Sequence, residues 1–303
     1  MSNRLIGAIP FSITQQPSTE NVCQEQESAD NAAPQNAVTY VYQAKLAELC
    51  CNVTAIWCKN LTNHSLSITV AKPCQESHNI CKIDVNSSQL WGKKGLKSFV
   101  IDGRRVDVYW DFRHAKFSSN PEPCSEYYVA LVSKAEVVLL LGDLMTDAYK
   151  RTRSKPALEE AKLMYKKENV LGKRLFCTRA MLEVGKEEHD IVIEISLSGP
   201  NDPEMWITLD GTVEIRIMNL NWRFRGNEIV MLNDFPVEIF WDVHDWLFSD
   251  QGTGQGLFIF KPRRLDWESN HSDPGSRNSQ YDSPKESSST TEFCHFLYAW
   301  KTE

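Results

Sequence analysis

The sequence lacks any long apolar run. Its most apolar stretch, 135–141, is seven residues long and contains Glu136, whereas a membrane-spanning helix needs about 20 predominantly apolar residues. The N-terminus has one arginine and a short apolar patch broken by Pro10, without a small-residue cleavage site. We therefore expect no transmembrane segment and no secretory signal, and we expect the protein in the cytoplasm or the nucleus.

Paired cysteines are also missing. The chain has nine cysteines but no C-x-x-C, and an odd number without a signal peptide predicts reduced thiols. Cys50, Cys51 and Cys58 lie close in sequence, but a zinc site is normally built from ligand pairs at a short spacing that this cluster does not have. The sequence thus predicts thiols of the core or the surface, and neither a metal site nor a cofactor.

Catalytic signatures are absent as well. None of the motifs G-x-S-x-G, G-x-x-x-x-G-K-[ST], G-x-G-x-x-G or H-E-x-x-H occurs. Cys294 and His295 are adjacent in an apolar segment typical of a strand, where neighbouring side chains point to opposite faces and cannot cooperate. We therefore predict no catalytic residue and a protein that is not an enzyme. The alternative is an enzyme with an unrecognised site, which a closed apolar cavity lined by converging polar groups would favour.

The chain is acidic overall, but its positive charge is locally concentrated. The net charge of −7 argues against a protein that coats nucleic acid. Residues 150–174 nevertheless hold nine bases and three acids, which gives this window +6 and the remainder −13. The residues predicted to contact an anionic partner are Lys150, Arg151, Arg153, Lys155, Lys166 and Lys167. The alternative is a solvated helix end and linker.

Strand signals dominate what remains. Short apolar runs rich in β-branched and aromatic residues flank Asp102-Gly103 and Asp210-Gly211, and Asp-Gly favours a type I′ hairpin. One helix is predicted at 143–152, with Asp143 as its N-cap. Two polar segments, 1–37 and 266–291, are predicted to be disordered.

The chain also repeats itself. Residues 91–117 align with 222–248 without a gap at an offset of 131, and 52–70 align with 191–209 at an offset of 139. The hairpin predicted at 127–143 has its counterpart in 256–264 and 292–303. The positions that mark the first alignment are Trp91, Trp110 and Asp111 in one copy and Trp222, Trp241 and Asp242 in the other.

This repeat predicts an all-β fold of two tandem copies of an antiparallel β-unit, either sandwich or barrel-like, with one short connecting helix. The first repeat is placed at 38–143, the helix and basic linker at 144–158, and the second repeat at 159–303.

The segment VEIFWDVHDWLF, 237–248, could be a metal site or the end of a buried strand. By period two, Asp242 and His244 share one face. The first copy has Arg113 where the second has His244, and arginine is not a metal ligand, so a metal site common to both copies is excluded. The sequence favours a strand that Asp111 and Asp242 end by hydrogen-bonding neighbouring backbone.

Several segments carry a family resemblance. They include VTYVYQAKL (38–46), SFVIDGRRVDVYWD (98–111), PEPCSEYYVALV (121–132), GPNDPEMWI (199–207) and FPVEIFWDVHDWLF (235–248). With these the chain resembles the plant family known as domain of unknown function 868. The resemblance implies a plant source and brings no activity, cofactor or catalytic residue.

Together these features favour a non-enzymatic interaction or binding module with a protein partner. A module that docks on anionic lipid through residues 150–174 is the alternative. Nucleic acid is not an expected partner.

Overall fold

Strands make up most of the residues that the structure describes. The computed structural model describes residues 36–46, 48–61, 63–72, 78–85, 93–182, 187–197, 202–249, 254–263 and 293–302. The prediction of an all-β fold is confirmed, and the sheets form sandwich-like layers that do not close into a barrel. The two segments predicted to be disordered lie outside the described residues, apart from Asn36 and Ala37, which begin the first strand.

Eight strands form the first half of the chain. They are β1 (Asn36–Leu46), β2 (Leu49–Lys59), β3 (His64–Ala71), β4 (His78–Asp84), β5 (Lys94–Ile101), β6 (Arg104–Asp111), β7 (Tyr128–Ser133) and β8 (Glu136–Gly142). The connecting segment contains α1 (Met145–Thr152), β9 (Lys155–Pro156) and β10 (Lys162–Gly172).

The second half contains eight strands and a short helix. They are β11 (Leu175–Ala180), β12 (His189–Ser196), β13 (Glu204–Leu209), β14 (Thr212–Ile217), β15 (Arg225–Leu232), β16 (Phe235–Asp242), α2 (His244–Phe248), β17 (Gln255–Pro262) and β18 (Cys294–Lys301).

One nine-stranded sheet runs through both halves, in the order β15-β16-β17-β18-β10-β1-β2-β3-β4. The strand β10 joins them, because it pairs in parallel with β18 and antiparallel with β1. The other strands form a five-stranded sheet, β5-β6-β7-β8-β9, and a four-stranded sheet, β11-β12-β13-β14. The strand β10, which the sequence placed at the start of the second repeat, is thus a central strand of a sheet that both halves share.

Each half has its own hydrophobic core. The first core contains buried residues of β1–β4 and of β5–β8, among them Trp57, Val108 and Leu131. The second contains buried residues of β11–β14 and of β15–β18, among them Ile193 and Trp241. These are two sandwiches that share the long sheet, and burial of apolar surface is the main stabilising contribution to each.

The helix α1 covers the outer face of the five-stranded sheet. Ala148 is fully buried against alternate residues of β7, including Tyr128 and Ala130. The predicted cap is wrong, because the Asp143 carboxylate accepts the backbone N–H groups of Glu126 and Tyr127 (3.0 and 3.1 Å) and makes no hydrogen bond to the start of the helix. A carboxylate satisfied by a neighbouring loop is no longer available as a cap.

Two hairpins turn as their Asp-Gly sequences predict, and a third hairpin has the same kind of turn. Asp102-Gly103 joins β5 to β6, Asp210-Gly211 joins β13 to β14, and Asn233-Asp234 joins β15 to β16. All six turn residues have φ between 47° and 82°, the left-handed backbone that a type I′ turn requires.

The last strand returns to the fold as predicted. β18 pairs antiparallel with β17, from Gln255 opposite Trp300 to Phe260 opposite His295. The segment between these two strands lies almost entirely outside the described residues.

Matching glycine–tryptophan contacts occur in the two halves. Gly95 pairs with Trp110 across β5 and β6, and Gly226 pairs with Trp241 across β15 and β16. In both pairs a Cβ added to the glycine would lie 2.3 Å from the tryptophan Cζ2. These contacts follow the spacing of 131 residues, while Trp91 lies outside the described residues. Internal duplication itself stays a prediction.

One part of the repeat alignment is out of register. Val70 and Leu209 occupy matching positions in β3 and β13, and their partners on the neighbouring strands are Val53 and Ile191. Val53 therefore corresponds to Ile191, which is fully buried, and not to Val192, which is only half-buried. A shift of one residue in a strand exchanges its two faces, so the upstream alignment at offset 139 is correct for β3 and β13 only.

Candidate functional site

The segment 237–248 is a strand end followed by a helical turn. β16 ends at Asp242, whose carboxylate accepts the backbone N–H of His244 (3.2 Å) and pairs with Arg225 (2.7 Å). His244 begins α2, with its ring against Phe224 and Phe248. Within the described ranges no three His, Cys, Asp or Glu side chains are grouped as a metal site would require.

Asp111 ends β6 in the same way. Its carboxylate accepts the N–H of Arg113 (3.2 Å), binds the Arg113 guanidinium at 2.9 and 2.8 Å, and lies 3.1 Å from Lys94. Burial alone would raise the pKa of Asp111, but hydrogen bonds from Arg113 and Lys94 lower it to about 2. The prediction that Asp111 and Asp242 end their strands by bonding the following backbone is confirmed.

The six basic residues of the predicted anionic-partner site do not form one surface. Lys150 and Arg151 lie on α1, Arg153 is its C-cap and Lys155 lies on β9, and all four are exposed. Among the described residues, none of the four forms an ion pair. We call these four residues the α1–β9 basic surface.

The other two bases lie elsewhere, on the central strand β10. Lys166 is a correction to the prediction, because it is 8% exposed and its ammonium binds the Glu168 carboxylate (3.0 Å) and the Arg179 carbonyl (2.7 Å). Strand alternation turns Lys166 inward and leaves Lys167 exposed, with its ammonium 4.7 Å from the centre of the Tyr298 ring.

A cavity of about 510 Å³ lies where β1 and β10 meet the loop before β7 and the ends of β8 and β11. This volume is in the range of small-molecule sites. The polar side chains that line it include Tyr40, Tyr42, Glu122, Tyr127, Lys166 and Glu168. They come from β1, from the segment before β7 and from β10, so that strands of the long sheet and the loop joining β6 to β7 build it together.

Glu122 is the centre of the first polar cluster in this cavity. Its two carboxylate oxygens accept the hydroxyls of Tyr40 (2.6 Å) and Tyr127 (2.7 Å), short distances typical of hydrogen bonds to an ionised acceptor. Burial raises the pKa of Glu122 above its ordinary value. Burial, followed by the Glu122 charge, likewise raises the pKa of both tyrosines, so the phenols stay protonated donors.

Glu168 is the centre of the second cluster. One of its oxygens accepts hydrogen bonds from Thr178 (2.5 Å) and His295 (3.2 Å) and forms an ion pair with Lys166 (3.0 Å). Burial alone would raise the pKa of Glu168, but the charge of Lys166 and the bond from His295 lower it to about 2. Burial lowers the pKa of His295, which is fully buried. The ring is therefore neutral, and its Nε2–H donates to Glu168 while Nδ1 has no hydrogen-bond partner.

None of the cavity clusters was identified from the sequence. Tyr40 is separated from Glu122 by 82 residues and Glu168 from His295 by 127 residues. The available signal was modest: Tyr40 and Tyr42 alternate within VTYVYQ, and Glu122 lies between two prolines. Such alternation on a strand predicts a shared face but not what that face meets.

A comparison with protein families identifies the family of the chain. The model of a family described as plant protein of unknown function (DUF868) matches residues 33–301. The chain belongs to this family. The match includes both sandwiches, the cavity and the α1–β9 basic surface. No curated protein and no solved structure matches the chain. Neither helix within the described ranges is long and apolar enough to cross a membrane.

Proposed function

We propose that this member of the DUF868 family is a non-enzymatic binding module, and that its ligand occupies the cavity between β1, β10 and the loop before β7. The observation that carries the proposal is the Glu122 carboxylate, held on both oxygens by tyrosine hydroxyls and accessible from a cavity of about 510 Å³. A few fixed polar groups within a partly apolar cavity are typical of small-molecule sites.

The proposal is tested by blocking the cavity. Met181 lines it and is 41% exposed, so Met181→Trp should fill the entrance without disturbing either core. Met218 is 51% exposed and does not line the cavity, which makes Met218→Trp the matched control. A fragment library is screened against the three proteins by ligand-observed NMR. Fragments that bind wild type and Met218→Trp but not Met181→Trp support the proposal. Fragments that bind all three equally, or no binding to wild type, contradict it.

An exposed apolar edge supports the additional proposal of a protein partner. β15 is the last strand of the nine-stranded sheet, and its outward side chains include Ile229 and Met231, which are 51% and 56% exposed. Trp222, in the turn before this strand, is 87% exposed. Edge strands with exposed apolar side chains are potential pairing sites for another strand.

Docking on anionic lipid is the second candidate function, and the α1–β9 basic surface supports it. Four exposed cations are accompanied by two exposed apolar side chains, Met145 (52%) and Leu158 (96%). Each basic residue near an anionic membrane contributes about 1 kcal/mol, and apolar side chains add to this when they enter the interface.

An enzyme remains the alternative class, and the two cavity glutamates are the observation that favours it. The pKa of Glu122 is raised by burial, and that of Glu168 is lowered to about 2, chiefly by Lys166 against the effect of burial. Opposite shifts are typical of acid–base pairs. Glu168, however, is 6% exposed, and one of its oxygens already accepts two hydrogen bonds and pairs with Lys166. We therefore assign it a structural role and favour binding.

Duplication of an ancestral β-unit belongs to the same proposal. One observation that supports it is that Gly95–Trp110 and Gly226–Trp241 make the same contact. Another is that Lys94, at the start of β5, pairs with Asp111, and Arg225, at the start of β15, pairs with Asp242. The location that we infer, the cytoplasm or the nucleus, is testable with a fluorescent fusion in plant cells.

A further inference from the structure

The polar groups of the cavity are mostly hydrogen-bond acceptors. The hydroxyls of Tyr40 and Tyr127 are spent as donors to Glu122. Each oxygen of a carboxylate has about two lone-pair sites, so both Glu122 oxygens keep one free. The phenol oxygens keep lone pairs as well. What this cluster offers to a ligand is therefore a set of acceptors, which a ligand rich in N–H donors would satisfy.

The donors of the second cluster are also used. Lys166 donates to Glu168 and to the Arg179 carbonyl, and the Thr178 hydroxyl donates to Glu168. The guanidinium of Arg179 donates through Nε to Asp190 (2.7 Å). The donors of the lining that remain for a ligand are the Tyr42 hydroxyl, the Asn120 amide, one N–H of Lys166 and the N–H groups on the two terminal nitrogens of Arg179.

The side chains that line the cavity carry more negative than positive charge. Four acids, Glu122, Asp143, Glu168 and Glu188, face two bases, Lys166 and Arg179. Lys166 is paired with Glu168 and Arg179 with Asp190, while Asp143 binds backbone N–H groups. Among the described residues, Glu122 and Glu188 are left without a cation in ion-pair contact. A positively charged ligand would compensate them.

Aromatic rings form the walls beside this negative charge. The rings of Tyr40 and Tyr42 stack with centroids 6.3 Å apart, and Tyr127 and Phe293 also line the cavity. The face of an aromatic ring attracts cations within about 6 Å of its centroid. Lys166 already uses this property, because its ammonium lies 5.8 Å from the centre of the Tyr40 ring.

From these features we propose that the cavity binds an organic ammonium ion, whose N–H or N–CH₃ groups contact Glu122 and the tyrosine rings. This inference rests on the proposed function, since it names the chemical class of the cavity's ligand.

The test compares cations with neutral molecules of the same shape. The probes are choline and 3,3-dimethylbutan-1-ol, and butylammonium and butan-1-ol, each titrated by calorimetry. We expect each cation to bind at least tenfold more tightly than its neutral counterpart. Glu122→Gln should lower the affinity for both cations at least tenfold. The matched control Glu160→Gln, which removes an exposed glutamate outside the cavity, should leave their affinity unchanged.

A further variant and the fragment screen separate the possible outcomes. If Glu122→Gln strongly lowers the thermal midpoint of unfolding, the test uses Glu188→Gln instead, because Glu188 is exposed. This variant should bind the cations severalfold more weakly than wild type. Neutral probes that bind as tightly as the cations would overturn the ammonium inference and leave the proposed function intact. The ammonium inference alone would also be overturned if none of the four probes binds, while fragments bind to wild type and not to Met181→Trp. Failure of the probes together with failure of the fragment screen would overturn both.

Discussion

Gly226 lies directly against the indole ring of Trp241, its partner across β15 and β16, so that a Cβ on the glycine would come within 2.3 Å of Cζ2. Gly95 and Trp110 have the same relationship in the first half, at the same 2.3 Å. Real Cβ atoms do not approach a ring carbon so closely. The tryptophan therefore requires glycine at its cross-strand partner position, and this requirement appears in both sandwiches.

Gly226→Ala should lower the free energy of unfolding by about 1–3 kcal/mol or more, because a methyl group is forced into a packed ring. In a Trp241→Leu background the same change should cost little or nothing, since alanine is favoured over glycine in a strand by about 0.5–1 kcal/mol. Urea unfolding of the four proteins in this double-mutant cycle measures the coupling. Additive effects would mean that the ring does not require glycine.

Asp111 should make the free energy of unfolding depend on pH. Its folded-state pKa of about 2 is below the ordinary 3.8, so its contribution is present above the unfolded pKa and is lost as the pH falls through the folded value. The shift corresponds to about 2 kcal/mol at pH 7. Asp111→Asn should therefore lower the free energy of unfolding by this amount at pH 7. The difference in free energy from wild type should shrink as the pH falls from about 4 to 2.

The control for this measurement is Asp242→Asn. Its carboxylate is 38% exposed, compared with 9% for Asp111, and exposed ion pairs contribute about 1 kcal/mol or less. A difference between wild type and Asp111→Asn that stays constant down to pH 2 would show that the carboxylate charge does not stabilise the fold.

Lys166 should be essential to the central strand even though it is not part of the α1–β9 basic surface. Lys166→Met leaves the buried Glu168 without the cation that lies 3.0 Å away, and breaking a buried pair by removing one partner costs about 3–5 kcal/mol. Lys166→Met/Glu168→Gln should recover part of this loss in chemical unfolding, because it removes the buried charge while the amide oxygen can still accept from Thr178 and His295. A single variant as stable as wild type would contradict the assignment of Lys166 and Glu168 as a structural pair.

The α1–β9 basic surface is tested with vesicles. Replacing Lys150, Arg151, Arg153 and Lys155 by Gln should abolish sedimentation with phosphatidylserine vesicles at low salt, since four bases contribute about 4 kcal/mol. Replacing four exposed bases outside residues 150–174, Lys82, Lys97, Arg216 and Arg223, is the matched control and should retain sedimentation. Wild-type binding should weaken as salt is raised, because screening shortens to about 8 Å at physiological ionic strength. Equal sedimentation of both variants would remove lipid docking as a candidate.

Local features of the fold were predictable from the sequence because their causes are local. Asp-Gly and Asn-Asp tolerate the positive φ of two-residue hairpins, and period-two alternation marks the buried faces of strands such as β3. Even β18 followed from its counterpart β8, although it lies far from its partner in sequence. By contrast, β10 pairs with β1 and β18, and no local signal states which distant strand a central strand will join.

The candidate site was not predictable for the same reason. Tyr40, Glu122 and Lys166 are ordinary residues of separate segments, and only the pairing of β10 with β1 and the path of the loop before β7 bring them together. Lys166 was assigned to a solvent-facing basic window because a count of charges does not distinguish the two faces of a strand. Its inward direction follows from the alternation of β10, in which Lys166 and Glu168 are buried and Lys167 is exposed.

The central claim, that the cavity holds a ligand, is tested most directly by native mass spectrometry of the protein purified gently from plant tissue. Wild type and Met218→Trp should carry the same non-covalent adduct, which dissociates on mild activation, and Met181→Trp should lack it. Identical spectra for the three proteins, with no adduct or with one that persists in Met181→Trp, would contradict the account.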